Sequence, residues 1–321
     1  MAEGTSLTSP APVRRGRALG WLSVIAFVYV VALWYVDRDK HVLSRLSQLA
    51  APLCGCVVLV LCSYLVRYQR WHTVLRAQGH RVPWRSGLYA YLAGFAFTAS
   101  PGKAGELLRI RYFSRLGVPA STTLATFVYE RALDLLVITA LSAAAARLVP
   151  LFGVLSAVVL ALVLALCVLA CWPGLQRLAA ALVSRLPGAG VRRLARFLLG
   201  GAQDLRPLLA PGLTSVSALY GAVAWLLTSL AFAWLCLALG IEVSWQHALS
   251  IYPLAMLVGA LSFVPGGVGT TEAAIVLMLG ALGVATDAAL AVAIGIRLAS
   301  LWLAVAVGML AMASLEARTK P

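Results

Sequence analysis

Pro101-Gly102-Lys103-Ala104-Gly105-Glu106 stands between an apolar run over residues 87–100 and a helix-like stretch that ends in Arg109, Arg111 and Arg115. As a helix the run would be about 21 Å long, well short of the roughly 30 Å hydrocarbon core of a bilayer. If it crossed a membrane, the three arginines would be left on the far face. A broken hairpin that enters and leaves by the same face removes both difficulties, because non-helical backbone is tolerated at membrane depth where protein or a water-filled cavity surrounds it. A second string of this kind, Pro265-Gly266-Gly267-Val268-Gly269-Thr270-Thr271-Glu272, separates the apolar segments 247–264 and 268–283.

Outward from these two tips lie further apolar segments at 18–36, 50–66, 120–146, 148–172, 213–239 and 286–314. Of 321 residues 62% are hydrophobic, which excludes an ordinary soluble globular protein and leaves lipid as the main solvent. The formal charge of +15 is carried by arginines and lysines between the apolar segments, not on a basic soluble domain, so nucleic acid is excluded as a partner. The same residues orient the chain by the positive-inside rule. Tail 1–17 with Arg14, Arg15 and Arg17, loops 67–86 and 173–212, and tail 315–321 are expected in the cytoplasm. The run after Arg17 ends in Trp34, Tyr35 and Val36 without a small-residue cleavage site, so it reads as an uncleaved first span and not a signal peptide. Within 173–212, Leu175, Leu178, Ala179, Leu182, Val183 and Leu186 recur at helical spacing with Arg177 and Arg185 off that stripe, as in a helix lying on an anionic membrane surface; a solvated linker is the alternative.

These segments predict an all-α polytopic membrane protein with one transmembrane domain, 18–314, built from two repeats, 18–146 and 148–314. Each repeat has three transmembrane helices and one broken re-entrant hairpin. With the first beginning inside and the second outside, they form inverted-topology repeats, an architecture common among transporters. The tips supply a further match, since Arg131 follows Glu106, and Arg297 follows Glu272, at the same interval of 25 residues. Counted from the helix ends, each glutamate and its arginine reach a similar depth, roughly 15 to 17 Å, near the midplane. The spacing predicts ion pairs Glu106–Arg131 and Glu272–Arg297, because a lone charge at that depth costs about 2.5–3.5 kcal/mol on insertion scales. Glu130 and Asp134 share one face of the following helix, which suits cation or proton handling, or a plainer pairing with Lys103. The charges can also be structural braces between hairpins.

No cofactor or metal is expected. The six cysteines fall in or beside apolar spans without metal-site or redox spacing, the four histidines are scattered, and no phosphate-binding Walker sequence or nucleophile beside a histidine occurs.

TASPGKAGELLRIRYFSRLG (98–117), FVYERALDLL (127–136) and SFVPGGVGTTEAAIVL (262–277) resemble the transmembrane region of lysylphosphatidylglycerol synthases and their stand-alone flippase-like relatives. The resemblance runs over roughly residues 20 to 313. It implies translocation of a lipid without lysyl transfer, since that chemistry belongs to a separate soluble domain and none follows Pro321. The lipid stays open among phospholipids, hopanoids and polyprenyl-phosphate-linked glycans, with a lipid-biosynthesis enzyme as a possible partner. Carried over by matching positions, the implied substrate-binding residues are Pro101, Gly102, Lys103, Gly105, Glu106, Glu130, Arg131 and Asp134, with Pro265, Gly266, Gly267, Gly269 and Glu272; spacing adds Arg297. The expected mechanism has half-helix N-termini near Gly102 and Gly266 facing an anionic head group in a midplane cavity, and Arg131, Arg297 and Lys103 supplying countercharge. Two other readings stand beside this one. In the first, an intramembrane enzyme modifies a lipid head group with Glu106 or Asp134 as base; in the second, a non-catalytic scaffold serves a lipid- or glycan-synthesis complex.

Overall fold

The structure, a computed structural model, describes residues 48–100, 105–185 and 205–317, with isolated positions at 20, 23, 27, 45, 46, 187, 188, 190–192, 195 and 199. The expectations for tail 1–17, span 18–36, the tip residues Pro101, Gly102 and Lys103, and most of 186–204 lie outside the described residues. Among the described residues all regular structure is helical. Helix α1 is Ala50–Ala77, α2 Trp84–Ala93, α3 Leu108–Ser114, α4 Ala120–Leu141, α5 Pro150–Cys171 and α6 Pro173–Ser184. The second half continues with α7 Pro211–Ala238, α8 Trp245–Leu261, α9 Thr270–Ala281, α10 Thr286–Arg297 and α11 Leu303–Ala317.

Among the described residues four stretches, Ala50–Ala77, Pro150–Cys171, Pro211–Ala238 and Thr286–Ala317, are long and apolar enough to cross a membrane, so the chain is a multi-pass membrane protein. Helix α4 has the length, but Glu130, Arg131 and Asp134 interrupt its apolar run. Helix α5 exposes Leu151, Val154, Leu162 and Leu164 and buries few residues, as a span facing lipid does. Helix α6 begins where α5 stops, at Pro173, and leaves Leu178 and Leu182 uncovered.

The chain between α1 and α4 is broken as its sequence demands. After α2 the backbone tightens into a 3-10 turn, Gly94–Phe97, and among the described residues the next α-helix is α3 from Leu108, packed against α2. Gly105 makes that packing possible, because a Cβ there would collide with the carbonyl of Phe97. In the second half α8 and α9 pack side by side across the 3-10 turn Pro265–Gly267. Gly266, Gly267 and Gly269 take φ of 63°, 64° and 82°, in the left-handed region that side chains avoid.

The halves interlock. Helices α1 and α7 pack along each other, with Gly55 of α1 under the Trp234 ring. Helix α2 and its 3-10 turn pack on α11, and α8 packs on α4. Gly308 of α11 sits so close to the backbone of Phe95 and Ala96 that it has no room for a Cβ. Helices α10 and α11 are continuous through a π-helical turn, Leu298–Trp302. The hydroxyl of Tyr64 on α1 donates to the Ser300 carbonyl at 2.8 Å, and that of Tyr252 on α8 donates to Ser300 Oγ at 2.9 Å, so both halves are tied to this turn.

Candidate functional site

Helix α1 does not end near residue 66, where the apolar run stops. It continues to Ala77, because Tyr64, Tyr68, Trp71 and Leu75 keep a buried face while Arg67 and Arg70 find partners inside the protein. The segment read from sequence as the loop 67–86 is therefore helical up to Ala77 and again from Trp84.

Arg70 is the hub of a buried ionic cluster. Its guanidinium lies 2.8 Å from Glu130 and 2.9 Å from Asp134, both on α4. Arg67, one turn earlier on α1, reaches Asp134 at 3.2 Å and lies over the Trp225 ring at 4.6 Å. Arg109 of α3 bridges Glu106 at 3.4 Å and Glu130 at 3.3 Å, with its guanidinium 3.8 Å from the Tyr91 ring centre. The Tyr91 hydroxyl donates to Glu130 at 2.8 Å, and Thr98 donates to Glu106 at 3.0 Å. Arg131 completes the group, 3.1 Å from Asp134 and 3.6 Å from Glu130. Arg70 and Arg109 are 1% exposed, whereas Arg131 keeps 24% of its side-chain surface accessible.

A second ionic centre lies at the other tip. Arg297 Nε donates to Glu272 at 3.0 Å, its Nη2 donates to the Gly266 carbonyl, and its Nη1 faces the Met256 sulfur at 3.7 Å. The other carboxylate oxygen of Glu272 accepts from the Gly269 N–H at 2.8 Å, capping the start of α9. The two centres adjoin, since a Cβ built on Gly266 would lie 3.3 Å from both Ala99 Cα and a Leu301 methyl.

Of the residues singled out in the sequence, the structure gathers Glu106, Glu130, Arg131 and Asp134 in the first centre, and Gly266, Gly269, Glu272 and Arg297 in the second. Pro265 and Gly267 shape the second tip, and Gly105 the first. The Glu272–Arg297 ion pair is present as expected. The Glu106–Arg131 pair is not: the Arg109 guanidinium lies one turn beyond Glu106 on the same returning segment, and Glu130 and Asp134 hold Arg131 on its own helix face. At the N-terminus of α9 the Gly269 N–H is taken by Glu272. Arg67, Arg70 and Arg109 look like cytoplasmic cations in the sequence and belong instead to the first centre. The signal that could have found them is the i, i+3 spacing of Arg67 and Arg70 inside an aromatic helical stripe, facing an acid pair that needs cations.

No group of histidine, cysteine, aspartate or glutamate among the described residues is placed to hold a metal ion. The chemistry on offer is electrostatic, with fixed guanidinium groups braced by carboxylates in a low-dielectric setting.

A membrane protein of Methanothermobacter thermautotrophicus, described as a UPF0104 membrane protein, is 28% identical over 266 residues, covering 76% of this chain and 77% of its own length. The family described as the lysylphosphatidylglycerol synthase TM region matches residues 19–308, which takes in both broken hairpins, both ionic centres and every span between them, and the chain belongs to that family.

Proposed function

We propose that the protein is a lipid translocase of the bacterial inner membrane, carrying an anionic or modified lipid whose head group passes the arginine cluster between two re-entrant hairpins. The observation that carries this reading is Arg131, a guanidinium within the ionic cluster that still keeps 24% of its side-chain surface accessible. Membership of a lipid-related membrane family supports it. So does the exchange of packing partners, α2 with α11 and α8 with α4, which is what two repeats related by a pseudo-two-fold axis would produce. In this reading the repeats are inverted, both termini and the basic loops are cytoplasmic, and rocking of one half against the other alternates access. The protein makes and breaks no covalent bond.

The test is reconstitution of the purified protein in vesicles containing a fluorescently labelled phosphatidylglycerol. The readout is the fraction of label reached by a membrane-impermeant reductant. Loss of leaflet protection faster than in protein-free vesicles, slowed by Arg131→Gln, is the expected result. An unchanged rate ends the translocase reading. One feature favours a scaffold instead: most of the buried charges already hold one another, and a scaffold would tolerate Arg131→Gln without any change in lipid movement.

A further inference from the structure

We infer that the head group received at Arg131 bears net negative charge with no cationic group, and that a single head group binds per chain, because the two ionic centres are electrostatically unequal. The inference rests on the translocase reading and specifies its substrate class. In the first centre four guanidinium groups, Arg67, Arg70, Arg109 and Arg131, face three carboxylates, Glu106, Glu130 and Asp134. The cluster of described residues is one positive charge in surplus.

Each of the three carboxylates is held within 3.4 Å of at least one arginine. An ammonium on an incoming head group would have to displace a guanidinium to find an anion, and would meet a net positive field as it came. Glu106 Oε2 and Asp134 Oδ1 both lie within 3.4 Å of a guanidinium nitrogen, whereas Arg131 Nε and Arg109 Nη2 are buried donors without an acceptor. Phosphate oxygens, which only accept, are the partners such donors lack. Arg131 also has the accessible surface through which a ligand can arrive.

The second centre offers nothing comparable. Arg297 and Glu272 balance one to one, Nε and Nη2 of Arg297 are on oxygen acceptors, and the Gly269 N–H ahead of α9 is taken by Glu272. It acts as a latch on the tip of the second hairpin, and the head group has one place to bind, not two.

The experiment is lipid competition on the purified chain in phosphatidylcholine nanodiscs, read by native mass spectrometry. The competing probes are phosphatidylglycerol, zwitterionic phosphatidylethanolamine, and the lysyl ester of phosphatidylglycerol, which is net cationic. Phosphatidylglycerol should be retained about tenfold over the lysyl ester, at one copy per chain, with phosphatidylethanolamine between them. Arg131→Gln should flatten the order and Arg131→Lys should keep it. Arg45→Gln, which removes the same charge at the exposed Arg45–Asp287 pair, should leave it unchanged. Equal or better retention of the lysyl ester by the unaltered protein overturns the inference, as does an undiminished preference in folded Arg131→Gln or a second specifically held lipid. The lipid order on the unaltered protein is decisive even if Arg131→Gln does not fold. Charge preference without lipid movement in vesicles would sink the translocase reading alone; movement of all three lipids at one rate, without preference, would sink this inference alone.

Discussion

Removing Arg297 should destabilise the protein far more when Glu272 keeps its charge than when it does not. The arginine is 1% and the glutamate 10% exposed, and they meet at 3.0 Å. Arg297→Met leaves a carboxylate inside the bundle with one N–H donor, that of Gly269, and also frees the Gly266 carbonyl. Breaking a buried pair from one side costs about 3–5 kcal/mol, most of it the penalty of the charge left behind. Glu272→Gln should cost less, since Arg297 keeps the Gly266 carbonyl and the amide oxygen can still accept from Nε. The double variant removes both charges, and the cycle should close with a coupling of about 2 kcal/mol in favour of the pair. Thermal unfolding in mild detergent, scored for all four proteins, provides the measurement. The matching cycle on Glu106→Gln and Arg131→Gln should be close to additive, because those side chains take different partners. Additivity at 272 and 297, or strong coupling at 106 and 131, would refute this account of the two centres.

Gly308→Leu should abolish folded, monodisperse protein, because the side chain would enter the backbone of Phe95 and Ala96; size-exclusion profiles of detergent extracts are the check. Gly266→Ala should lower stability by about 1–2 kcal/mol through its left-handed backbone alone, with a further loss from crowding Ala99, and an unchanged unfolding temperature would contradict it. Arg70→Met should reduce stability by at least about 3 kcal/mol, since Glu130 and Asp134 both lose their shortest arginine contact, and Arg67→Met, which leaves Asp134 with Arg70 and Arg131, should cost less; unfolding temperatures of the two variants are the comparison. In a cysteine-free background a cysteine at position 80 or 190 should react with an impermeant thiol reagent only after the inner face is opened; labelling of intact cells from outside would reverse the topology.

Much of the architecture is written along the chain in one dimension. Apolar runs and the basic stretches between them specify a helical, multi-pass membrane protein, because burying backbone in lipid leaves helices as the economical solution for such runs. The Pro265-Gly266-Gly267 string marks where one of those helices breaks, since proline lacks a donor and glycine readily accepts the left-handed backbone found at 266, 267 and 269. Even the Glu272–Arg297 pair is legible, because the interval between them spans one short helix and its return. What the chain order does not contain is the choice of partner when several charges compete at one place. Arg67 and Arg70 lie some sixty residues from Glu130 and Asp134, and only the packing of α1 and α3 against α4 turns cations that look cytoplasmic into the hub of a buried cluster. The same packing assigns Glu106 to Arg109 and Arg131 to its own helix, which makes two similar sequence strings into unlike centres. Electrostatic energy depends on distance through space, and an interval of 25 residues sets that distance only after the intervening helices have found their neighbours.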